Sequence, residues 1–212
     1  MFPRLENLHF EPIRTRPGDF PSADIPMPPH LHTLQLKSLR SHERWFADNR
    51  VSSLSTLRLS SVRPVEDIPL LDEMLEIFGT NIRHLTLHFA NQKGQFFHSD
   101  YDLNVNLTHT TQLRTLEIDL SELTRRHIFP TLSSLRAPHI EKIVWRNRRA
   151  FDFSAGLGLW SDLDVLLADR NLFPTLYVFL IKAPGSSEDM FNPKQYMPVC
   201  DALGLLAGEK II

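Results

Sequence analysis

Apolar residues recur along the chain in one short frame: the first two are three positions apart, and the second and third are two apart. The clearest copy is Leu54, Leu57 and Leu59, in the stretch LSTLRLSSV. Because side chains alternate across a strand, the last two apolar residues point to one face and the polar residues beside them to the other. The stretch therefore predicts a strand that is buried on one side.

The same frame returns at six other places. The seven copies begin at Leu5, Leu31, Leu54, Ile82, Leu113, Ile140 and Phe173. Their spacing of 23 to 33 residues is typical of leucine-rich repeats, in which each strand needs neighbours to bury its apolar face. We therefore expect an α/β fold, a horseshoe-like leucine-rich-repeat solenoid. Its parallel sheet would lie on the concave side, with irregular helices and loops on the convex side.

The segments between the copies must return the chain to the start of the next strand. Helical periodicity and helix-end signals predict helices at 66–79 and 160–171. The proline-rich segment 11–30 and the polar segment 90–106 predict loops. No domain boundary is visible, so we expect a single domain over 1–212 with about seven irregular repeats, in which 190–212 forms a C-terminal cap.

Composition narrows the class of protein. The formal net charge of -2 over 212 residues gives no positive excess for nucleic acid or an anionic membrane, so neither is expected as a partner. The longest strongly apolar run, 176–181, is too short to span a membrane, and no basic and apolar leader opens the sequence. The single cysteine, Cys200, permits no intramolecular disulfide. These features predict a monomer located in the cytoplasm or nucleus.

Residues that suggest catalysis or metal binding are sparse. No nucleophile, metalloprotease or nucleotide-binding motif occurs, so we expect no enzyme activity and no cofactor. His84 and His88 share a strand face, but four strand positions separate them by ~13 Å, too far for one metal ion. The basic stretches 124–127 and 145–149 are interpreted as solvated loop charge, and Cys200 as a packing residue.

Several stretches together resemble one family. They are FPRLENLHF (2–10), LHTLQLKSL (31–39), LRTLEIDL (113–120), FPTLSSLRAPHIEKIVW (129–145) and the pairing of 160–164 with 173–181. They are similar to the repeat region of basidiomycete fungal F-box/LRR-like proteins. In that family an F-box docks a Skp1-type adaptor, and the repeats recruit a substrate for ubiquitination. Here a repeat begins at Phe2, with the F-box itself missing. The resemblance therefore implies a recognition module that has a Skp1-type adaptor as partner only if an F-box is encoded upstream.

The frame also predicts which strand residues could contact a partner. The predicted partner-binding residues are Gln35, Lys37, Thr56, Arg58, Ser60, His84, Thr86, His88, Thr115, Glu117, Asp119, Lys142 and Arg146. This surface is polar and of mixed charge, and its far end, at Tyr177 and Phe179, is apolar and expected to be covered by the C-terminal segment. The leading hypothesis is a non-catalytic protein–protein interaction module. The alternative is a truncated or degenerate structural remnant without a binding function of its own.

Overall fold

Every described strand lies parallel to its neighbours in a single sheet. The computed structural model describes residues 4–10, 27–39, 53–89, 104–119, 125–146, 157–182 and 197–208. Within these ranges eight strands follow one another across the sheet in chain order. They are β1 (Asn7–Phe10), β2 (Thr33–Leu36), β3 (Thr56–Val62), β4 (His84–Phe89), β5 (Thr115–Asp119), β6 (Lys142–Arg146), β7 (Val178–Lys182) and β8 (Leu206–Gly208). Each connection between them must therefore bring the chain back to the same end of the sheet.

The apolar frame of the sequence sets the register of the sheet. Leu57 on β3 lies opposite Leu34 on β2 and Leu85 on β4. From β2 to β6 the two core-facing rows are Leu34, Leu57, Leu85, Leu116 and Ile143, and Leu36, Leu59, Leu87, Ile118 and Trp145. All of them are at most 6% exposed and belong to one hydrophobic core. The prediction of a parallel α/β repeat fold is confirmed.

A backbone turn marks the first apolar position of the frame. In five of the repeats the amide at this position donates to the carbonyl three residues earlier, at 3.0 to 3.4 Å. The donors are the amides of Leu31, Ile82, Leu113, Ile140 and Leu176. The first apolar residue of a repeat is therefore recognisable from its local hydrogen bonding as well as from its burial.

The seventh copy of the frame begins at Leu176, and the prediction that it begins at Phe173 is wrong. On β7, Phe179 lies opposite Ile143, a core-facing residue of β6. Phe179 is accordingly 1% exposed, whereas Tyr177 is 59% exposed. The stretch LYVFLI is apolar at both alternating sets of positions, so its pattern fits two frames. The turn that starts at Phe173 selects the later frame.

Side-chain hydrogen bonds on the turns agree with this register. Ser53 Oγ donates to the carbonyl of Leu31 at 2.9 Å, and Thr175 Oγ1 donates to the carbonyl of Ile140 at 2.8 Å. Leu31 and Ile140 are the first apolar residues of their repeats. Ser53 and Thr175 therefore occupy equivalent places, each directly before the first apolar residue of the next repeat.

Four helices and one short 3-10 helix lie between the described strands. They are α1 (Pro64–Phe78), the 3-10 helix Gly79–Asn81, α2 (Arg125–Ser134), α3 (Leu157–Ala168) and α4 (Pro198–Ala202). Helices α1 and α3 confirm the helices predicted at 66–79 and 160–171, with shifted ends. At the start of α1 the carboxylate of Asp67 accepts the amide of Arg63 at 2.9 Å, which satisfies a donor left free by the helix. No described helix is long and apolar enough to cross a membrane.

Helix α2 and strand β8 lie where the sequence pattern predicts neither. Pro130 argues against a helix because it donates no backbone hydrogen bond, yet it lies inside α2. Residues 125–127 of the basic stretch 124–127 are therefore helical, which corrects their interpretation as loop charge. Strand β8 lies inside the segment 190–212 and pairs with β7. The role of this segment as a C-terminal cap stays a prediction.

Polar contacts anchor the segment before β5 to two helices. The amide of Leu107 donates to Ser134 Oγ on α2 at 2.9 Å, and the amide of Asn106 donates to the carboxylate of Asp72 on α1 at 2.8 Å. Tertiary contacts of this kind help to stabilise α2 despite its internal proline. Most of the two segments predicted as loops, 11–30 and 90–106, lies outside the described residues.

The core changes character towards β7. Trp145 on β6 stacks on Trp160 of α3 with ring centroids 5.5 Å apart, and it meets the ring of Phe179 edge-on at 6.4 Å. The buried carboxylate of Asp164 on α3 accepts two amides at the start of α4, at 2.9 and 2.7 Å. The last repeats therefore rely on individual aromatic and capping contacts where the earlier ones use rows of aliphatic residues.

Candidate interaction surface on the strands

The strand residues that alternate with the core-facing residues form what we call the polar strand face. The strand register arranges its side chains in three rows across the sheet. The first row is Thr33, Thr56, His84, Thr115 and Lys142, the second is Gln35, Arg58, Thr86, Glu117 and Val144, and the third is His88, Asp119 and Arg146. Since neighbouring strands lie ~4.8 Å apart, side chains in adjacent places of these rows can interact directly.

Eleven of the thirteen residues predicted for partner binding lie in these rows. Of the other two, Lys37 follows β2 and is exposed, and Ser60 lies at the register shift between β3 and β4 and is half-buried. Asp119 is 1% exposed, so it is a buried residue and not the exposed position expected from the frame. The binding role of the whole set stays a prediction.

Two residues of the polar strand face contact the carboxylate of a third across consecutive strands. Arg146 on β6 donates from its Nε to the carboxylate of Glu117 on β5. His88 on β4 places its Nε2 3.5 Å from the same carboxylate oxygen. We call these three side chains the paired group. Its carboxylate is already engaged by two neighbours and attracts a partner less than a free acid would.

The electrostatics of Glu117 agree with this arrangement. The hydrogen bond from His88 lowers the pKa of the Glu117 carboxyl, and the Arg146 guanidinium lowers it further, while partial burial acts in the opposite direction. Glu117 is therefore a carboxylate at neutral pH. It fixes the two side chains on either side of it.

A second set of charges lies beside the paired group. Arg58 on β3, Arg83 directly before β4 and Arg114 directly before β5 are all exposed, and we call them the arginine cluster. The amide of Arg114 donates to the carbonyl of Arg83 at 2.8 Å, so these two side chains start from adjacent strands. His84 lies among the three arginines. Burial lowers the pKa of His84, and the positive charges of the arginines lower it further against the opposing effect of Glu141.

The polar strand face becomes apolar at β6 and β7. Val144 and Leu180 are neighbours in the second row and are 4% and 5% exposed. They alternate along their strands with the core residues Ile143 and Phe179. The apolar end was expected at Tyr177 and Phe179, but Phe179 belongs to the core, and Val144 and Leu180 take that place. Coverage of this end by the C-terminal segment stays a prediction.

The described ranges contain no group of three or more His, Cys, Asp or Glu side chains that could hold a metal ion. His32 Nδ1 lies 2.9 Å from the carbonyl oxygen of Ser53, a contact between neighbouring repeats. Cys200 is fully buried, and burial together with the neighbouring Asp164 raises the pKa of its thiol. The thiol therefore stays protonated at neutral pH and is a poor nucleophile.

Two features of the polar strand face were missed by reasoning from the sequence. The members of the paired group come from three consecutive copies of the frame, but Glu117 lies one row away from His88 and Arg146, so matching strand positions gave no signal for their contact. Arg83 and Arg114 directly follow the first apolar residue of their repeats, in the stretches IRHL and LRTL. This position was not counted as part of the surface, although its repeated arginine marks it.

Comparisons with known proteins add little to this description. No protein-family model matches the sequence, and no curated protein matches it. Among solved structures, the chain is similar to the leucine-rich repeat-containing protein LegL7 from Legionella pneumophila, with 16% sequence identity and a TM-score of 0.48. The match covers 86% of this chain and 57% of that one. The fold described above rests on strand register and burial and takes no support from this match.

Proposed function

We propose that the chain is a horseshoe-like leucine-rich-repeat solenoid that acts as a non-catalytic protein–protein interaction module. In this proposal the sheet lines the concave side, and the helices and loops form the convex side. Solenoids bind partners through such extended concave surfaces. The observation that carries the proposal is the register of β2 to β6, which brings polar side chains from successive repeats into continuous rows on the strand side that faces away from the core.

The pKa values of two groups support binding over catalysis. The pKa of Glu117 is lowered by His88 and Arg146, so the group is a weak base at neutral pH. The pKa of the Cys200 thiol is raised by burial, so little thiolate forms. General acid–base catalysis works best with a pKa near the operating pH, and covalent catalysis needs an activated nucleophile. Neither group meets these requirements.

Site-specific photo-crosslinking tests the proposed surface. A benzophenone amino acid placed at Thr86, in the middle row of the polar strand face, should crosslink to a defined set of proteins in extracts of cells that express this chain. The same amino acid at Glu76, which is exposed on α1, is the matched control on the helical side of the molecule. We expect specific adducts from position 86 and none of the same adducts from position 76.

The opposite labelling pattern would count against the surface. If position 76 gave the adducts and position 86 gave none, binding would involve the helical side and the proposed concave surface would be wrong. Circular dichroism and thermal denaturation of both labelled proteins check that each is folded before the comparison is made.

A narrower proposal concerns ubiquitin ligases. The resemblance to F-box/LRR-like proteins supports a substrate-recognition role, with a Skp1-type adaptor as partner if an F-box is encoded upstream. Purification of the full gene product from its native cells should then recover the adaptor and a cullin. Recovery of other partners alone would remove the ligase role and leave the interaction module in place.

Folding behaviour separates the interaction module from a degenerate remnant. A functional module located in the cytoplasm or nucleus is expected to be a monomer with one cooperative unfolding transition. Thermal denaturation followed by circular dichroism, together with analytical ultracentrifugation, measures both properties. Aggregation without a cooperative transition would favour the remnant.

A further inference from the structure

The charges of the polar strand face divide into a neutralised part and a part with excess positive charge. In the paired group the carboxylate of Glu117 is held by Arg146 and His88. In the arginine cluster only Arg114 has an ion pair within the described residues, at 2.9 Å from Glu141. Arg58 and Arg83 are exposed and form none there. The surface therefore carries local positive charge although the whole chain has a formal charge of -2.

The three arginines act on one small area. Arg58 lies on β3, Arg83 directly before β4 and Arg114 directly before β5, and these successive strands are spaced ~4.8 Å apart. After burial, the charges of Arg114, Arg58 and Arg83 contribute to lowering the pKa of His84. An area in which two guanidinium groups without an ion pair among the described residues, Arg58 and Arg83, lie near a third, Arg114, is a favourable place for an anion.

We infer that the arginine cluster binds the carboxylate side chains of an acidic segment in a partner protein. This inference rests on the proposed interaction function and adds the chemical class of the partner. Guanidinium groups bind carboxylates through paired, charge-assisted hydrogen bonds. In an extended segment alternate side chains lie ~7 Å apart on one face. That spacing lets successive acidic residues reach arginines that start one or two strands apart.

Charge distribution favours an acidic protein segment over a nucleic acid. Nucleic-acid binding draws its affinity from many phosphate contacts along a basic surface. Here the arginine cluster is bordered by Glu141 and by the carboxylate of Glu117. Because Glu141 pairs with Arg114 and Glu117 pairs with Arg146, the unpaired positive charge of the arginine cluster is confined, among the described residues, to Arg58 and Arg83. So small an area offers few contacts to a long phosphate backbone, whereas a short segment with a few carboxylates can use all of it.

Fluorescence anisotropy with a defined probe tests the inference. The probe is a fluorescein-labelled peptide of alternating aspartate and glycine, compared with a lysine–glycine peptide and with labelled oligothymidylate. We expect the aspartate peptide to bind best and its affinity to fall with added salt, because the contacts are between exposed charges. The double variant Arg58→Glu/Arg83→Glu should weaken binding by about tenfold or more.

A matched variant controls for net charge. Arg4→Glu/Arg136→Glu makes the same change in total charge at two exposed arginines outside the cluster, and its affinity should stay within about twofold of the wild type. Because Arg136 donates to the carbonyls of Ser133 and Leu135, circular dichroism first checks that this variant is folded. Equal weakening in both double variants, or tighter binding of oligothymidylate than of the aspartate peptide, would overturn the inference. If the wild type fails to bind the aspartate peptide while crosslinking at position 86 is seen, only the acidic partner class is overturned. If the wild type shows neither, the proposed function is overturned as well.

The pH dependence of binding gives an independent readout. The charged neighbours of His84 are Arg58 on β3, Arg83 directly before β4, Arg114 directly before β5 and Glu141 directly before β6. The pKa of His84 is lowered and its protonation adds a positive charge, so binding should strengthen about twofold as the pH falls from ~6.5 to ~5, where aspartates stay ionised. His84→Gln should abolish this gain, and His139→Gln, at an exposed turn position, should retain it. An unchanged gain in His84→Gln would contradict the role of the cluster.

Discussion

Strands β2 to β5 and strands β6 to β8 belong to one sheet, yet they are stabilised in different ways. In the first region the core repeats one residue at equivalent positions, as at Leu57 and Leu85, and the opposite side of the strands is polar. In the second region the core contains the stacked rings of Trp145 and Trp160. There the opposite side of the strands is apolar and buried at Val144, which is 4% exposed.

This difference shows which part of the fold follows from repetition and which from individual contacts. Where each repeat presents the same apolar residue, any copy predicts the register of the next. Where the strands are apolar on both sides, alternation no longer distinguishes the two faces. A turn, an aromatic stack or a helix cap must then fix the register. The second region should therefore be more sensitive to single substitutions at those contacts.

The largest expected effect tests the register of β7. Phe179→Ala should lower the free energy of unfolding by about 3–5 kcal/mol, because it removes a fully buried ring. Tyr177→Ala, at a residue 59% exposed, should change it by less than about 0.5 kcal/mol. Chemical denaturation of the two variants gives both values. A loss of less than about 0.5 kcal/mol for Phe179→Ala would restore the frame that begins at Phe173, in which Phe179 faces away from the core.

A tetrapeptide that occurs twice in the chain shows how far the sequence could predict this fold. Phe-Pro-Thr-Leu occurs at 129–132, inside helix α2, and at 173–176, in the turn before β7. Local preference cannot distinguish the two copies because their residues are identical, so tertiary contacts decide. Contacts such as that between Ser134 and the amide of Leu107 lie outside any local pattern. The leucine rows of β2 to β5, by contrast, follow directly from periodicity.

The candidate surface was predictable to a similar degree. The frame located Arg58 and Glu117 on one side of the sheet because alternation along a strand is strict. It did not show that Glu117 is held by Arg146, because that contact depends on the pairing of β5 with β6. It also gave no indication that Asp119 is buried. Position on a face follows from the sequence, whereas pairing and burial require the register between strands.

The next effect sharpens the comparison at the cap that Asp164 forms on helix α4 in the second region. Asp164→Ala should destabilise the protein by about 2 kcal/mol, because two amides at the start of α4 lose a buried acceptor. Asp162→Ala, at an exposed place on the same helix, should cost less than about 0.5 kcal/mol. Urea denaturation measures the difference. Equal values for the two variants would show that the cap contributes nothing.

A smaller effect is expected in the first region, where adjacent repeats pack closely. A Cβ atom at Gly79 would lie 3.0 Å from the carbonyl oxygen of His109 in the next repeat. Gly79→Ala should therefore destabilise the protein by about 1 kcal/mol, the steric cost exceeding the gain from a stiffer backbone. Thr80→Ala, at the exposed neighbouring position, controls for the local backbone. A stabilised Gly79→Ala variant would mean that the repeats can separate slightly at no cost.

The smallest effect concerns the paired group, which lies at the boundary between the two regions. The pKa of Glu117 is lowered below its usual value of 4.5, with His88 as the largest cause. Its contribution to stability is therefore fully present above that value and is lost as the pH falls through the folded-state pKa. Glu117→Gln should be less stable than the wild type at neutral pH, and it should lose less stability than the wild type on acidification below pH ~4.5.

Urea denaturation at a series of pH values measures this difference, with Glu73→Gln on the exposed side of α1 as the control for the lost charge. If Glu117→Gln lost stability in acid as steeply as the Glu73→Gln control, the contacts of Glu117 with His88 and Arg146 would not stabilise the fold. The two regions would then be joined by backbone pairing and core packing alone.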